Sequence, residues 1–534
     1  MLSRWQTFKA SIFPANTPIF AAATTQRVRL EEFAGRNSSH PRATDPEKKA
    51  LEVSSESEVT SAIKPNIFDK ITRGAGSSET FFFMMGLLAL WAVAGAALGT
   101  TDRWQIILQN ASSIQVYVTD ILLIRQQKNA SRALMTTLAE IQYVDQFGSS
   151  IFLPLPGSSG NSKPYQSAIR SSRNMTCERL LRQIPSCQWM ETHYNKPKPL
   201  SDKTIEQEIE ESLAMVQGRQ TRWQRIWGAA CHFFAITLGS LWAFLFYWAG
   251  IFVWVGIGPL LQFSDVWQLY INTATAISLT FTSVFLQNVQ QQQEDRLDLC
   301  LNYALKIDAQ VEYRLREITE DPKPNPIFEI PADVPSRVER SIDRFADIMG
   351  SGLGVIISLL AAGIWFAVGP ALTFDDNWWL IIGTFTGLVG FIDGFVLRNL
   401  YMREESHAKI HFRKVELADS RILDLLNLPI PRSAEKKQSF STRVSVIVGD
   451  ACGSRWATVG AVSFVFALLV IASAMVWSTT GQLLCNTSTM IIEGFLLLVL
   501  IQAHNTSNQE RGEDFNGVLK RRLLLNSYVN AIPD

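Results

Sequence analysis

Gly239-Ser240-Leu241-Trp242-Ala243-Phe244 opens an uncharged apolar stretch, and Trp254, Gly258, Asp265 and Trp267 follow it at set distances. The same landmarks recur three more times without a gap. Gly76, Gly350 and Gly453 begin the other copies, each followed by Ser. Fifteen residues on stand Trp91, Trp254, Trp365 and, in the fourth copy, Leu468. Nineteen on come Gly95, Gly258, Gly369 and Ala472; twenty-six on, Asp102, Asp265, Asp376 and Thr479. Trp104, Trp267, Trp378 and Gly481 lie at twenty-eight. A shared register of this length predicts a fourfold repeat of one helical hairpin. The fourth copy, without its tryptophans and aspartate, reads as specialised or degenerate.

Each copy holds two apolar stretches. The first helices are predicted at 77–98, 240–257, 351–368 and 454–477, with charge only at the rim, on Glu79 and Arg455. The second are predicted at 104–124, 267–286, 378–397 and 482–501. About 20 apolar residues rising 1.5 Å each cross a bilayer core. Eight such stretches exceed what a soluble core needs. The expected fold is therefore an all-α polytopic membrane protein, about eight transmembrane helices in four hairpins with cytosolic helical extensions.

Lysine plus arginine and aspartate plus glutamate balance at 49 each, so nothing in the charge calls for a nucleic-acid partner. The short turns within the hairpins carry one basic residue, Arg103. The positive-inside rule then predicts cytosolic termini and long loops in a multi-pass protein. The outer turns carry Asp102, Asp265, Asp375 and Asp376. Asp102, Asp265 and Asp376 form an acidic rim that would attract cations; the same aspartates can also cap the second helices.

The remaining chain divides as follows. Residues 1–66 are a polar, proline-broken tail, expected to be disordered and cytosolic; the basic, acid-free start is also compatible with a mitochondrial presequence. Copy one with its extension spans 67–145, a linker 146–222, copy two with a cytosolic helix 223–322, and a Pro-rich linker 323–338. Copy three with its cytosolic helix spans 339–428, a linker 429–443, and copy four with a C-terminal tail 444–534. Six scattered cysteines form no C-x-x-C pair, and Cys177 and Cys187 fall in a long loop where disulfides are rare.

The pairs Phe68-Asp69 and Gly76-Ser77, the opening hexapeptide, and Phe263-Ser264-Asp265-Val266-Trp267-Gln268-Leu269-Tyr270-Ile271-Asn272-Thr273 resemble the low-affinity iron(II) permease family of fungi. So does Leu286-Gln287-Asn288 at the end of that helix. The resemblance covers all four hairpins and is closest in the second copy. It implies a plasma-membrane carrier for Fe2+, with other transition-metal cations (copper, zinc, manganese) as further cargo. Arg316-Glu317-Ile318-Thr319-Glu320 also matches the R-E-x-x-E signature of the unrelated high-affinity permease. It ends an amphipathic helix beside a proline-rich linker, not a membrane span, and reads as coincidence.

The first helices offer almost nothing polar and read as lipid-facing scaffold. The second carry polar stripes: Gln109, Ser113 and Asp120; Asn272, Thr275 and Thr282; Thr386 and Asp393; and Asn486, Met490 and Glu493. A carboxylate within a span is costly unless wet or paired, so Glu493, Asp393 and Asp120 are pathway candidates. Asp393 and Asp120 lie where Arg398 and Arg125 could neutralise them. Asn272, Asn486, Met490 and Thr386 join the candidate pathway, although interhelical hydrogen bonding and packing account equally well for such residues. Glu404, His407 and His411 share one helix face and offer ligands that Fe2+ accepts, or a solvated charged face.

No P-loop, dinucleotide fingerprint or intramembrane histidine pair is present, which argues against a pump, a ferric reductase or any other enzyme. The sequence points to low-affinity Fe2+ uptake without ATP, driven by membrane potential or an ion gradient. A broad cation channel and a non-transporting membrane scaffold remain open. No permanently bound cofactor is expected; Fe(II) is the substrate, metal cations and lipid are the partners, and homo-oligomerisation stays open.

Overall fold

The computed structural model describes residues 19–22, 67–99, 101–141, 177, 180–181, 222–319, 327–330, 335–426, 428–430, 440–530 and 532. The element order recurs four times as a short helix, a sharp corner, an apolar helix, a turn and a long helix. Copy one comprises α1 (Ile67–Ala75), α2 (Ser78–Leu98) and α3 (Asp102–Ile141); copy two, α4 (Arg222–Leu238), α5 (Leu241–Ile257) and α6 (Asp265–Thr319). Copy three comprises α7 (Arg337–Met349), α8 (Gly352–Val368) and α9 (Asp376–Leu425); copy four, α10 (Phe440–Gly453), α11 (Arg455–Ala474) and α12 (Thr479–Asn530). Among the described residues seven helices are long and apolar enough to cross a membrane, or up to eight if α7 and α8, bent by 66°, make one span.

The recurrent landmarks now have physical reasons. Each serine caps an apolar helix: the side chains of Ser77, Ser240, Ser351 and Ser454 accept from the backbone N–H of Thr80, Ala243, Leu353 and Ala457. The paired tryptophans stack across the turn, with ring centroids 3.7 Å apart for Trp91–Trp104, 3.9 Å for Trp254–Trp267 and 4.2 Å for Trp365–Trp378. In copies two and three each indole N–H also donates to the other tryptophan's carbonyl. These turns hold two successive residues at positive φ, Gln262-Phe263 and Thr373-Phe374, and copy four keeps the bend with Val476-Trp477 although its stacked pair is gone. Left-handed non-glycine pairs are strained, so the packing around the turn must impose them.

The glycines explain how the copies join. A Cβ on Gly76 would sit 3.0 Å from the Gln291 side chain of α6, and one on Gly239 would sit 2.8 Å from the Gln502 backbone of α12. On Gly453 it would meet Met402 of α9 at 3.2 Å, and on Gly350 it would meet Ile124 of α3 at 2.9 Å. Each corner therefore docks on the long helix of another copy. Three are also tied by a side chain at one shared offset: Asn288 Nδ2 donates to Gly76 O (2.9 Å), Asn399 Nδ2 to Gly453 O (2.6 Å) and Arg125 to Gly350 O (3.1 Å). The contacts close into a ring in the order one, two, four, three. α3 packs on α6, α6 on α12, α12 on α9 and α9 on α3.

The long helices thus form a central four-helix bundle. Their apolar windows are 61–78% buried, against 11–28% for α2, α5 and α11, which leave Phe82, Leu90, Phe246, Phe252 and Phe466 exposed around the outside. At 1.5 Å per residue a helix of 50 residues runs about 75 Å, well past a core of about 30 Å. The spans expected to end at 286 and 501 continue without a break: no proline or glycine interrupts the glutamine-rich run after Leu286, and the helix after Ile501 meets no proline and runs on through Gly512 and Gly517. The C-terminal segment, expected as a tail, is helical to Asn530. Beyond the apolar segments a second core holds Leu138, Leu301, Phe412, Leu519 and Cys177, beside a buried ion cluster in which Arg522 pairs with Asp308 (2.7 Å) and Asp419 (2.9 Å).

One departure from all-α is a ribbon. Ile19–Ala22 (β1), in the expected disordered tail, pairs antiparallel with Ile327–Ile330 (β2) of the Pro-rich linker and lies against α3. Both tetrapeptides are rich in Ile and Phe, which favour extended pairing. Most of the 1–66 tail, most of the 146–222 linker and Cys187 lie outside the described residues.

Candidate functional site: a carboxylate cluster on the bundle axis

Glycines on α9 open the axis of the bundle. Gly383, Gly387 and Gly390 face polar side chains of α3 and α12: a Cβ on Gly383 would meet Asn110 and Asn486, one on Gly387 would meet Thr489, and one on Gly390 would meet Glu493 Oε1 at 2.8 Å and Asp120 Oδ2 at 3.8 Å. The helices can approach this closely only because α9 has no side chain there. Glu493 of α12 lies within hydrogen-bonding reach of Asp120 of α3, and Asp393 of α9 acts electrostatically on both. Three carboxyls from three copies, none more than 4% exposed, therefore lie in electrostatic reach of one another inside the bundle.

Their charge has no protein counter-ion among the described residues. Arg125 turns away to Asp69 (2.9 Å), and Arg398 donates to the Gly449 carbonyl (3.0 Å) and pairs with Asp450 (3.7 Å). The neutralisation by Arg125 and Arg398 considered from the sequence does not occur. Neither oxygen of Asp393 has a hydrogen-bond partner, and Asp120 Oδ2 has none. Three like charges in a desolvated core repel unless cations or protons stand among them. The three are not disposed as a ready-made metal cage, as no such trio is among the described residues, but all-oxygen groups of this kind can attract a hydrated divalent cation in transit.

A column of amides leads to this cluster from the turn end. Gln109, Asn272 and Asn486 share one repeat offset, with Gly383 as the fourth member, and Gln268 and Gln482 lie one turn nearer the turns. All of these amides are buried; the side-chain oxygens of Gln109, Gln268, Gln482 and Asn486 and both polar atoms of Asn272 have no partner, while the Gln109 and Gln482 nitrogens donate to the Leu269 and Trp477 carbonyls. Asn110, which the helix-by-helix stripes passed over, has neither side-chain atom paired. Superposing the four copies at a common offset is the sequence signal that would have found it. A buried unpaired amide costs about 1–3 kcal/mol, so a run of them marks a polar path instead of a dry core.

The other candidates fall elsewhere. Thr386 spends its hydroxyl on the Ile382 carbonyl (2.8 Å), and Met490 is packed within the apolar cluster around the axis. Asp102 and Asp265 are exposed at the turn end, where Asp265 accepts from Thr480 (3.2 Å); the backbone of Asp376 begins α9 and its side chain lies outside the described residues, while Asp375 caps that helix. Glu404 accepts from Gln127 (2.7 Å) at the wall of a cavity, whereas His407 and His411 face each other with Nε2 atoms 3.3 Å apart and do not line it. Among the described residues no three His, Cys, Asp or Glu side chains are disposed to hold a metal ion, so these three are not gathered into one site. Arg316 and Glu317 of the R-E-x-x-E match are engaged with Glu312 (3.0 Å) and Arg314 (2.7 Å) near the end of α6.

Comparison with known proteins bears on this arrangement. The family profile described as low affinity iron permease matches residues 65–172, 229–328, 338–428 and 441–514, one segment on each copy. The chain is 36% identical over 464 residues to the low-affinity iron/zinc ion transport protein fet4 of Schizosaccharomyces pombe, spanning 86% of this chain and 72% of that protein. It is 32% identical over 496 residues to the low-affinity Fe(2+) transport protein of Saccharomyces cerevisiae, spanning 86% of this chain and 82% of that one. No solved structure matches.

Proposed function

We propose that this chain, which belongs to the low-affinity iron permease family, carries Fe2+ and related divalent metals through the axis of its own four-helix bundle. It is a multi-pass membrane transporter and not an enzyme. The observation that supports this route is the meeting of Asp120 and Glu493 beside Gly390, with Asp393 in electrostatic reach and no cationic side chain to balance them.

In this reading the turn end faces outward at the plasma membrane and the termini face the cytosol. Asp102, Asp265 and Asp376 gather hydrated cations, the amide column replaces part of the hydration shell, and the carboxylates compensate the charge at mid-depth. Because four copies within one chain surround the axis, a single subunit supplies a whole pathway. A membrane potential supplies about 2.3 kcal/mol per charge per 100 mV, roughly 4.6 kcal/mol for Fe2+, so ATP is not needed. Oxygen ligands without a fixed cage hold the ion weakly, in keeping with low affinity.

The test is uptake of radioactive Fe2+ in cells lacking their own iron carriers, with Zn2+, Mn2+ and Cu+ as competitors. A carboxylate about 4 Å from a unit charge contributes about 4 kcal/mol at an effective dielectric of about 20. Glu493→Gln should therefore lower uptake by at least about tenfold at normal surface abundance. Uptake within about twofold of wild type would remove the cluster from the pathway. Saturation-free currents carried by Na+ or K+ would favour a channel.

A further inference from the structure

Below the carboxylates the axis closes. Leu123, Leu286, Leu397 and Leu500 stand at one offset in all four copies, and all four are buried within a single apolar cluster. The next axial offset, one turn closer to the loop end, carries Gln127, Gln290, Tyr401 and His504. Each is buried, and each lines a cavity of about 1090 Å³ that also reaches Glu404.

We infer that His504 supplies the imidazole ligand of a second divalent-metal site, on the far side of the leucine ring from the carboxylates, with oxygen from Glu404 and the Gln127–Gln290 layer completing it. The inference rests on the axial route proposed above and concerns its exit. His504 Nδ1 lies 2.9 Å from the Leu500 carbonyl, which can only accept, so the ring proton sits on Nδ1. Nε2 then carries a lone pair, and it is buried without a partner. Metal-binding histidines have this arrangement, one nitrogen anchored to a carbonyl and the other free for the ion. Tyr401 stacks on the ring at 4.2 Å and fixes its plane.

The oxygen donors are organised too. Gln290 Nε2 donates to Gln127 Oε1 (3.3 Å), and Gln127 Nε2 donates to Glu404 Oε2 (2.7 Å). Arg511 and Arg398 are the cations that act on His504. Arg511 is paired with Glu405, and Arg398 with Asp450 and the Gly449 carbonyl. Burial first, and then their field, disfavours an imidazolium and keeps the lone pair available. The field also shortens the stay of a bound cation, as an exit site requires. Glu294, Asp295 and Asp298 on the same cavity draw the ion onward. A nitrogen donor prefers Fe2+ and Zn2+ to Mn2+, so discrimination would be made here and not at the all-oxygen cluster.

The experiment is equilibrium binding of radioactive Zn2+ to the full chain in lipid nanodiscs, with Mn2+ as competitor. The wild type should bind one more Zn2+ than His504→Gln, and the binding that remains in the variant should show no preference for Zn2+ over Mn2+. Glu493→Gln should remove the other site and leave the Zn2+-selective one. His504→Cys, loaded with Co2+, should show thiolate-to-cobalt charge-transfer absorption, a direct report that position 504 is a ligand. Unchanged Zn2+ stoichiometry in folded His504→Gln, or no charge-transfer band in Co2+-loaded His504→Cys, overturns the proposal. Loss of the His504 site with full retention of binding in Glu493→Gln would sustain it and refute the carboxylate route.

Discussion

Gly390→Ala adds one methyl group to the axis and changes no charge. The new Cβ would stand 2.8 Å from Glu493 Oε1, where ordinary contact begins at 3.4 Å, so the carboxylate must retreat by about 0.6 Å. Asp120 Oδ2, at 3.8 Å, is not disturbed. A misplacement of about 1 Å in a preorganised site costs about a hundredfold, which scales to roughly tenfold here, or about 1.4 kcal/mol. Alanine meanwhile favours the helix by about 1 kcal/mol over glycine, so abundance and thermal stability should hold or rise. Gly394→Ala is the control: its Cβ meets only Leu496, at 3.3 Å, on the same face one turn on. The assay is initial-rate Fe2+ uptake normalised to surface protein, with unfolding followed in detergent. If Gly390→Ala transports within about twofold of wild type while Gly394→Ala does the same, the close approach of Glu493 to α9 has no part in transport.

Other outcomes follow from the same geometry. Leu286→Asn places an amide in the leucine ring and should wet it; uptake should lose metal discrimination, and uncoupled cation current should appear in patch recordings. Trp254→Ala removes a stacked pair and the indole hydrogen bond to the Trp267 carbonyl, leaving the bond that Trp267 donates to the backbone at 254, and should cost about 3–5 kcal/mol in equilibrium unfolding, with little change in metal preference. Asp308→Asn leaves Arg522 short of a charge in a buried cluster and should destabilise the chain by about 3–5 kcal/mol, whereas replacing the cluster with apolar residues of matching volume should be close to neutral by the same measurement. Cys231, outside the membrane spans, is buried against Asn288 and Gln292; burial pushes its thiol up to about 11, so maleimide at neutral pH should label it only after unfolding.

Much of this protein could be read from spacing alone. The register from Gly239 through Trp254 and Asp265 to Trp267 sets out four equivalent helical pairs, because each landmark serves a local purpose: a serine cap, a tryptophan stack and a helix start within some thirty residues of one another. The three buried acids were legible for a similar reason, since a carboxylate in an apolar span is conspicuous wherever it stands. What the sequence left undecided were contacts between distant parts of the chain. That copy four follows copy two around the ring depends on Gly239 docking at Gln502, more than 260 residues away. That Asp120 and Glu493 meet beside α9 depends on glycine at 390, whose value lies in neighbours supplied by other copies. The free nitrogen of His504 is visible only once Leu500 has claimed the other. Helical periodicity and capping act within a few turns and are written in residue order. The partners across a bundle axis are chosen by packing and charge in three dimensions, and only the folded chain brings them together.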